Sequence, residues 1–491
     1  MQIDEYTRLF FQMEAEEGFF TSRTPSGDPF WDVVRLNIFI SLFDEIDEPR
    51  QFQKTPVSQI LLKRLTKIRR TPLKAVSMLN HLSRLKCIQP SDFLVLAWSR
   101  YKDANGDPID FATDDVFRTL SGMGSTRRFE SKHGLFQDIN FSTLISIAIH
   151  THQLQTGYKE YFRAIARVVA NAERRYFGIA DSHLLNVIQT EYNFYLAQRR
   201  VWREILDRSQ PRLVVTQPGQ KGLIVEARIR QIPVIECQHG VINRMHPGYS
   251  YPATLAPGGL VILPDAVLLF SEYWKHQCSM LGTELTAVGN NCFSSAGARS
   301  TRTGATVFVN ADPFQRYLSP LAVKLAKSMP DRLFIMKLHP AELSGRAMIE
   351  REYQGIPNLS VVGVEKSCPE LFADASDVVV VQSTATYEAL DWGVPVHILR
   401  KSWFMAEQDL FSRPDVHLFS TAAELQSALF KPVERAERDS PFFEIFDPVK
   451  FCELVRSLLR GASPSIAPAT ETAAEVYSEQ VSLNSRSCHL H

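Results

Sequence analysis

The sequence predicts an α/β protein with two doubly wound, Rossmann-like domains and an N-terminal helical extension. The chain has 491 residues, which is too long for one ordinary hydrophobic core. From residue 306 to residue 399, short apolar runs alternate with helical segments, as in a parallel sheet with right-handed crossovers. A small, polar stretch at 294–304 is typical of a linker between two such units.

Composition limits the function classes. Apolar residues make up 45% and charged residues 22% of the chain, as in soluble globular proteins. The formal net charge is zero, which argues against nucleic acid as a partner. The N-terminus lacks the pattern of a secretory signal, and no apolar run approaches the ~20 residues of a membrane-spanning helix. Seven scattered cysteines without a C-x-x-C pair favour the reducing cytoplasm.

The extension, residues 1–90, is predicted to be helical. Its segment 31–43 is densely apolar and is most simply a buried helix. Between residues 51 and 89 there are nine basic residues and no acidic one, with leucines interleaved. This pattern predicts a peripheral helix on the anionic inner face of the cytoplasmic membrane. A solvated helical face or a contact with a partner subunit are the alternatives.

The first α/β domain is predicted over 91–293. Its apolar runs and glycine-opened helix form a strand–helix–strand unit between residues 213 and 237. The predicted elements, in order, are a strand at 92–98, long helices within 142–208, a strand at 213–216, a helix at 219–230, and strands at 233–237, 266–270 and 285–288.

The second domain is predicted over 305–460, followed by a disordered tail at 461–491 that is rich in Ser, Ala, Pro and Thr. Strands and helices alternate, and the strand at 395–399 is expected to close the sheet. The predicted strands are 306–309, 333–337, 359–362, 377–381 and 395–399, and the helices are 318–328, 342–354, 369–374 and 386–392.

Two predicted strands of this domain end in polar residues. Lys337, His339 and Pro340 follow one apolar run, and Gln382, Ser383, Thr384 and Thr386 follow another. Ligands of open parallel sheets bind beyond the carboxyl ends of the strands. Ser383 and Thr384 can cap the next helix, whose amide groups and dipole favour an anion. With Lys337 and His339 on what we expect to be the neighbouring strand, the simplest ligand is a nucleotide phosphate.

Two further residues complete the predicted nucleotide site. Glu388 lies one turn inside the same helix and can accept both hydroxyls of a ribose, or it is a helix-surface glutamate. Asn310 follows the first strand of the domain and could line the cleft, although Asp312-Pro313 is equally an ordinary helix start. Lys337 could also be a solvated flanking charge.

The catalytic candidates lie in the first domain, in the run from Glu236 to Gly240. A strand holds this polar run rigidly and delivers it into a glycine turn. His239 titrates near neutral pH and could remove a proton from a hydroxyl nucleophile, or it is a structural turn histidine. Glu236 is the second candidate. The chain has no H-E-x-x-H, Walker or G-x-G-x-x-G motif and no D-x-D in a plausible loop, so the sequence predicts neither a metal nor a bound cofactor.

These motifs, spread over about 210–410, resemble those of glycosyltransferases with two Rossmann-like domains facing a cleft, the GT-B type. The resemblance lies in the segments Lys337–Pro340, Gln382–Thr386 with Glu388, Gly393-Val394-Pro395 and Val288-Gly289-Asn290. The His-Pro and Ser-Thr elements are similar to those that hold the phosphate of a CMP-sugar in bacterial sialyltransferases and Kdo transferases. Gln238-His239-Gly240 resembles the His-Gly element of CDP-glycerol glycerophosphotransferases, whose histidine is the proposed base, and 264–274 resembles a segment of capsule and O-antigen transferases.

The chain departs from these patterns in three places. The acidic base motif of sialyltransferases is absent from the sequence. Gln238 stands where glycerophosphotransferases have tryptophan. Thr384 replaces the second serine of the Ser-Ser pair and keeps its hydroxyl.

The resemblance implies a metal-independent enzyme that moves a sugar from a nucleotide-activated donor, with a CMP-sugar favoured. The acceptor would be a surface polysaccharide or glycolipid, as in capsule or lipopolysaccharide assembly. A nucleotide-sugar epimerase of the same fold is the alternative enzyme. A non-catalytic scaffold that docks through 51–89 is the alternative from another class.

Overall fold

Two six-stranded, wholly parallel sheets form the protein, which confirms the predicted GT-B class of two Rossmann-like domains. The computed structural model describes residues 3–47, 85–99, 101–102, 108–130, 144–145, 148, 156–252, 261–280, 282–293, 304–310, 315–381, 383–400, 410–431 and 441–461. Most of the basic segment 51–89, almost all of the predicted linker and the tail beyond residue 461 lie outside these residues.

The strands are numbered in chain order. They are β1 Phe93–Ala97, β2 Tyr101–Lys102, β3 Pro108–Ile109, β4 Thr126–Glu130, β5 Leu213–Thr216, β6 Val234–Cys237, β7 Ala266–Leu269, β8 Glu284–Ala287, β9 Thr306–Val309, β10 Phe334–Lys337, β11 Leu359–Val362, β12 Asp377–Val380, β13 Val396–Leu399 and β14 Val416–Phe419.

The helices follow the same convention. They are α1 Ile3–Glu16, α2 Trp31–Asp47, α3 Asp114–Met123, α4 Thr156–Phe177, α5 Leu184–Ser209, α6 Lys221–Ile229, α7 Glu272–Lys275, α8 Gln315–Ser328, α9 Arg346–Glu352, α10 Cys368–Phe372, α11 Thr384–Asp391, α12 Ala422–Leu429 and α13 Pro448–Gly461, with 3₁₀ turns at Phe19–Thr21 and Pro340–Gly345.

The first sheet has the strand order β4-β1-β5-β6-β7-β8. Its inner strands are buried along their whole length, as parallel strands are when helices cover both faces of a sheet. The short pair of β2 and β3 is antiparallel and separate. All five strands predicted for this domain are present, as β1, β5, β6, β7 and β8. The edge strand β4 was not predicted.

The second sheet has the order β11-β10-β9-β12-β13-β14, which is the 3-2-1-4-5-6 order of a Rossmann domain. Two expectations fail here. The strand at 396–399 does not close the sheet, because β14 pairs with it from Val396↔Val416 to Leu399↔Phe419. The strands that carry Lys337 and Ser383 are not neighbours either, because β9 lies between β10 and β12.

Helices α1 and α2 belong to the core of the first lobe. Tyr6, Phe10 and Trp31 are fully buried in one apolar cluster with Val214 of β5. Arg35 of α2 forms a buried ion pair with Glu14 of α1, with Nε and Nη2 each 2.7 Å from a carboxylate oxygen. Among the described helices, none combines the length and hydropathy required to cross a bilayer.

The last described helix returns to the first lobe. Helix α13 inserts Phe451, Leu454 and Val455 into the apolar cluster that contains Phe93 and Leu213. A segment at 442–447, which we call the strap, runs between the lobes before this helix. The first lobe therefore contains both the beginning and the end of the described chain, although α13 falls within the predicted range of the second domain.

Gly289 allows the strap to pass close to β8. Its φ angle is +80°, a left-handed backbone conformation that residues other than glycine rarely adopt. A Cβ atom at this position would lie 2.3 Å from the carbonyl oxygen of Ile445. The flanking backbone is bonded to the strap, since Asn290 N–H donates to Glu444 at 2.8 Å and Asp447 N–H donates to Val288 at 2.7 Å.

We expect Gly289→Ala to lower the free energy of unfolding more than Gly355→Ala, measured by urea denaturation. Gly355 has φ +83° but open space around it, so its substitution isolates the backbone cost of about 1 kcal/mol. Gly289→Ala should lose a further 1–3 kcal/mol or so, because it also clashes with the strap. Equal losses in the two variants would contradict this role for Gly289.

Candidate functional site

The carboxyl edges of the two sheets face each other. A Cβ atom placed on Gly240, which follows β6 of the first lobe, would lie 3.8 Å from Oγ1 of Thr384 in the second lobe. Both residues are half-buried. The His239-Gly240 turn and the start of α11, which the sequence singles out separately, therefore meet at one cleft.

Helix α11 begins at Thr384, two residues before the predicted start at 386, and ends at Asp391, one residue before the predicted end at 392. Ser383 is the N-cap, with extended backbone, and its hydroxyl accepts a hydrogen bond from the amide of Ala385 at 3.2 Å. The helix is terminated by Gly393, where φ is +65° and the amides of Gly393 and Val394 donate back to Leu390 and Ala389. Its amino end, which carries the positive end of the helix dipole, lies at the cleft beside Thr384. The amides of Ala385 and Thr386 donate back to the hydroxyl and the carbonyl of Ser383.

Asn310 lies at the same sheet edge, after β9 and between the two polar strand ends. Its side chain is 2% exposed, and neither amide atom has a hydrogen-bond partner among the described residues. Its backbone N–H donates to the carbonyl of Lys337 at 2.9 Å. Buried polar groups without partners are rare in proteins, so this amide is well suited to a ligand.

His339 and Lys337 follow β10 but differ in their surroundings. His339 is half-buried, and its backbone N–H donates to Oε2 of Glu342 at 2.8 Å, at the start of the 3₁₀ turn that opens with Pro340. Lys337 is 4% exposed, and its ammonium donates to the carbonyl of Gly363 after β11. Burial lowers the pKa of Lys337. The ammonium is thus directed towards β11, and the sequence interpretation of a solvated charge does not hold.

Thr386 and Glu388 lie inside the second lobe, behind the exposed start of α11. Thr386 is fully buried, and Glu388 is 5% exposed. Burial raises the pKa of Glu388 to about 8, with a further increase from Asp391 and an opposing effect of Lys337. Glu388 is therefore not a helix-surface glutamate. Gln382 lies outside the described residues.

His239 is held between two aromatic rings. The Trp98 indole stacks on the imidazole with a centroid distance of 5.0 Å and an angle of 8°, and the Phe111 ring lies at 4.8 Å and 30°. The sequence analysis did not identify Trp98 or Phe111 as site residues. Their packing fixes the plane of the half-buried imidazole beside the cleft.

We call the two rings of Trp98 and Phe111 on His239 the aromatic clamp. Two buried polar side chains support it. Asp110, which is fully buried, accepts hydrogen bonds from the backbone N–H of Trp98 at 2.9 Å and from the side-chain amide of Gln217 at 2.6 Å. Gln238 bridges the turn, because it donates to the carbonyl of Gly240 at 2.9 Å and accepts from Phe270 N–H at 2.9 Å. A side-chain amide at position 238 can make both of these bonds, which the indole of the related tryptophan could not.

Glu236 is separated from His239 by the alternation of β6. Ile235 and Cys237 pack on one face of the sheet, and Glu236 lies on the other, where it accepts a hydrogen bond from the Tyr249 hydroxyl at 3.0 Å. Burial raises the pKa of Glu236 to about 7. It lines a cavity of about 150 Å³ beside α2, which His239 does not line.

The two lobes also touch along α11. The ring of Tyr387 packs on Trp274 of the first lobe with a centroid distance of 4.7 Å. Asp391, in the last turn of the helix, accepts hydrogen bonds from the amides of Phe442 and Phe443 in the strap, at 3.2 and 2.9 Å. Within the described ranges, no group of three or more His, Cys, Asp or Glu side chains is arranged to hold a metal ion.

No protein-family model and no curated protein matches the chain. Among solved structures, it is similar to UDP-GlcNAc 2-epimerase of Methanocaldococcus jannaschii in complex with UDP-GlcNAc and UDP, with a TM-score of 0.45, 11% identity, and coverage of 75% of this chain and 99% of that one. The S. aureus MnaA-UDP structure is similar with a TM-score of 0.45 and 9% identity, covering 78% of this chain and 100% of that one. The spinosyn rhamnosyltransferase SpnG with thymidine diphosphate has a TM-score of 0.39 and 13% identity, with coverage of 75% of this chain and 91% of that one. The fold assignment rests on the strand orders of the two sheets.

We expect Glu388→Gln to remove a pH dependence of folding stability. Between about pH 4.5 and 8, the folded protein binds a proton at Glu388 that the unfolded chain has released, so stability falls as pH rises. The glutamine variant should therefore gain stability relative to wild type across this window, by roughly 1 kcal/mol per pH unit. Urea denaturation at pH 5, 7 and 9 measures the difference, with Glu350→Gln at the surface as the control. A difference that stays constant with pH would contradict the assignment.

Proposed function

We propose that the protein is a glycosyltransferase that moves a sugar from a nucleotide-activated donor to a hydroxyl group of a glycan or glycolipid. The observation that carries this proposal is the position of Gly240 opposite Thr384, where a Cβ atom placed on Gly240 would lie 3.8 Å from Oγ1 of Thr384, so that a histidine turn faces a helix amino end. If the phosphate of the donor is bound at that helix end, the bond between phosphate and sugar, which breaks during transfer, would lie close to His239, which can accept a proton.

The second lobe would hold the donor. The positive end of the helix dipole at the start of α11, with the hydroxyl of Thr384, suits a phosphate. The side-chain amide of Asn310, which has no partner among the described residues, and the half-buried His339 at the same edge would supply further hydrogen bonds. Adjacent strands lie about 4.8 Å apart, so the ends of β10 and β12 are separated by roughly 10 Å, which a nucleotide with its sugar can bridge. The motif resemblance favours a CMP-sugar.

The first lobe would supply the acceptor and the base. His239 would take the proton from the acceptor hydroxyl as its oxygen attacks the anomeric carbon of the donor sugar. The new C–O bond forms as the bond to phosphate breaks, and the nucleotide leaves with its phosphate and both bonding electrons. Stabilisation of the leaving phosphate at α11 would be the largest catalytic contribution and would need no metal. Closure of the cleft would exclude water and favour transfer over hydrolysis.

The cellular setting belongs to the same proposal. A surface-polysaccharide or glycolipid acceptor follows from the resemblance of His239-Gly240 and of 264–274 to capsule-type transferases. The nine basic residues between 51 and 89 would hold the enzyme at the inner face of the cytoplasmic membrane, where such acceptors are assembled.

A nucleotide-sugar epimerase would convert the donor without an acceptor. Product analysis with nucleotide sugar alone separates the two activities, since a new epimer would establish the epimerase and only slow hydrolysis would support the transferase. The cavity beside Glu236, distinct from the cleft, favours transfer because an epimerase has no acceptor to place.

Donor binding is tested by thermal stabilisation with CMP-, CDP-, UDP- and GDP-linked ligands. A ligand at about one hundred times its Kd adds about 2.7 kcal/mol to folding stability. We expect His339→Ala to weaken donor binding by about 10- to 100-fold and to lower the transfer rate, because a hydrogen bond to a charged group is lost. His276→Ala, an exposed site outside the cleft, is the control. Unchanged donor affinity in His339→Ala would remove the phosphate assignment, and the absence of any nucleotide binding would favour a scaffold.

We expect His239→Ala to fold and to bind the donor as wild type does, with a transfer rate about 10²- to 10⁴-fold lower, as loss of a general base predicts. Calorimetry with the donor nucleotide and a transfer assay measure the two quantities on one preparation. Near-normal turnover would make His239 a structural residue of the aromatic clamp.

A further inference from the structure

A partly open cavity lies in the first lobe, between α2 and the carboxyl edge of the sheet. Its volume is about 150 Å³. Its walls come from α2, from Lys221 at the start of α6, from Glu236 of β6 and from the loop at 246–251. We call it the α2 cavity.

The loop that forms one wall is fixed by the buried ion pair of the N-terminal helices. Arg35, paired with Glu14, also donates to the carbonyls of Pro247 and Ser250, at 2.5 and 3.1 Å. Its guanidinium stacks over the ring of Tyr251 at 4.6 Å. The cavity wall is therefore rigid and is present before any ligand binds.

The α2 cavity can take part of a single pyranose ring. A cavity of about 150 Å³ in a protein core is large enough for benzene, which is smaller than a pyranose, so the remaining substituents of the sugar would lie at the open side of the cavity. The walls combine the rings of Tyr249 and Tyr251 with polar groups, as sugar-binding surfaces require, because a pyranose has both apolar C–H faces and a rim of hydroxyls.

The charges around the cavity do not suit an anion. Lys221 is paired with Asp32, which also accepts hydrogen bonds from the Tyr251 hydroxyl at 3.1 Å and from Ile262 N–H at 2.8 Å. Glu236 and Glu191 add carboxyl groups, and the described residues give neither of them an ion-pair partner. Burial lowers the pKa of His246 to about 4, so this ring is neutral at physiological pH. These groups can accept hydrogen bonds from hydroxyls. Both cations of the lining, Arg35 and Lys221, are already paired with carboxylates, Glu14 and Asp32, so neither is left to bind a carboxylate or a phosphate of a ligand.

We propose that the α2 cavity binds one neutral pyranose unit of the acceptor, with Glu236 as the group that accepts hydrogen bonds from its hydroxyls. This deepens the proposed function and rests on it only in assigning the sugar to the acceptor. Glu236 is on β6, His239 follows this strand three residues later, and the 246–251 loop comes after Gly240, so the chain that lines the cavity leads directly into the turn at the cleft. An acceptor chain held in the cavity would extend towards His239.

The probes are the methyl glycosides of glucose, galactose, mannose and N-acetylglucosamine, with methyl glucuronide as the anionic counterpart. Saturation-transfer NMR on the full chain measures binding without nucleotide. Leu36→Trp fills the cavity from α2, and Ile40→Trp, one turn further along the same helix and 45% exposed, is the matched control. Glu236→Gln keeps the size of the side chain and removes its charge.

We expect at least one neutral glycoside to bind wild type, Ile40→Trp and His239→Ala alike. Binding should be lost in Leu36→Trp and weakened about tenfold in Glu236→Gln, with methyl glucuronide much weaker throughout. Binding that persists in Leu36→Trp, equal binding of the glucuronide, or no neutral glycoside bound by folded wild type would each overturn the proposal. Because the assay contains no donor, these results are independent of nucleotide binding and turnover, which test the proposed function itself.

Discussion

The approach of the two sheet edges depends on α11, a helix of eight residues that contacts the first lobe at three levels. Thr384 at its start meets Gly240, Tyr387 in its middle packs on Trp274, and Asp391 at its end binds the strap. The strap is in turn bonded to the first lobe, since Trp274 Nε1 donates to the carbonyl of Phe442 at 2.7 Å. A change in the angle between the lobes would have to move this helix, and with it the helix end proposed to bind phosphate.

The strap and the histidine turn are linked by a continuous series of aromatic contacts. Phe443 packs on Phe293 at 4.9 Å, Phe293 on Phe111 at 5.1 Å, and Phe111 on His239 at 4.8 Å. Asn290 adds a polar connection. Its side-chain amide donates to the carbonyl of Phe111 at 2.7 Å, and its backbone N–H donates to the carbonyl of Glu444 in the strap. The orientation of His239 is therefore coupled to the segment that joins the lobes, and not only to its own turn.

Local features of the second lobe could be predicted from sequence because they are encoded locally. Ser383 as a cap and Gly393 as a helix end follow from residue type and position alone. The order of the strands could not be predicted, because the alternation of strands and helices is the same whether or not β9 separates β10 from β12. Trp98, Phe111 and Asp110 lie in irregular segments without periodicity, and only the fold brings them to His239. The position of Glu236 had a readable signal, since alternate residues of β6 must point to opposite faces.

The return of α13 to the first lobe has a consequence for synthesis on the ribosome. Phe451, Leu454 and Val455 cover the face of the first sheet that contains Phe93 and Leu213, and they are made after every strand of the second sheet. The lobe that emerges first thus keeps part of this apolar face uncovered until residue 455 has been made, whereas the second sheet has all its strands by residue 419. In this protein the nascent chain completes its domains in the reverse of the order in which it starts them.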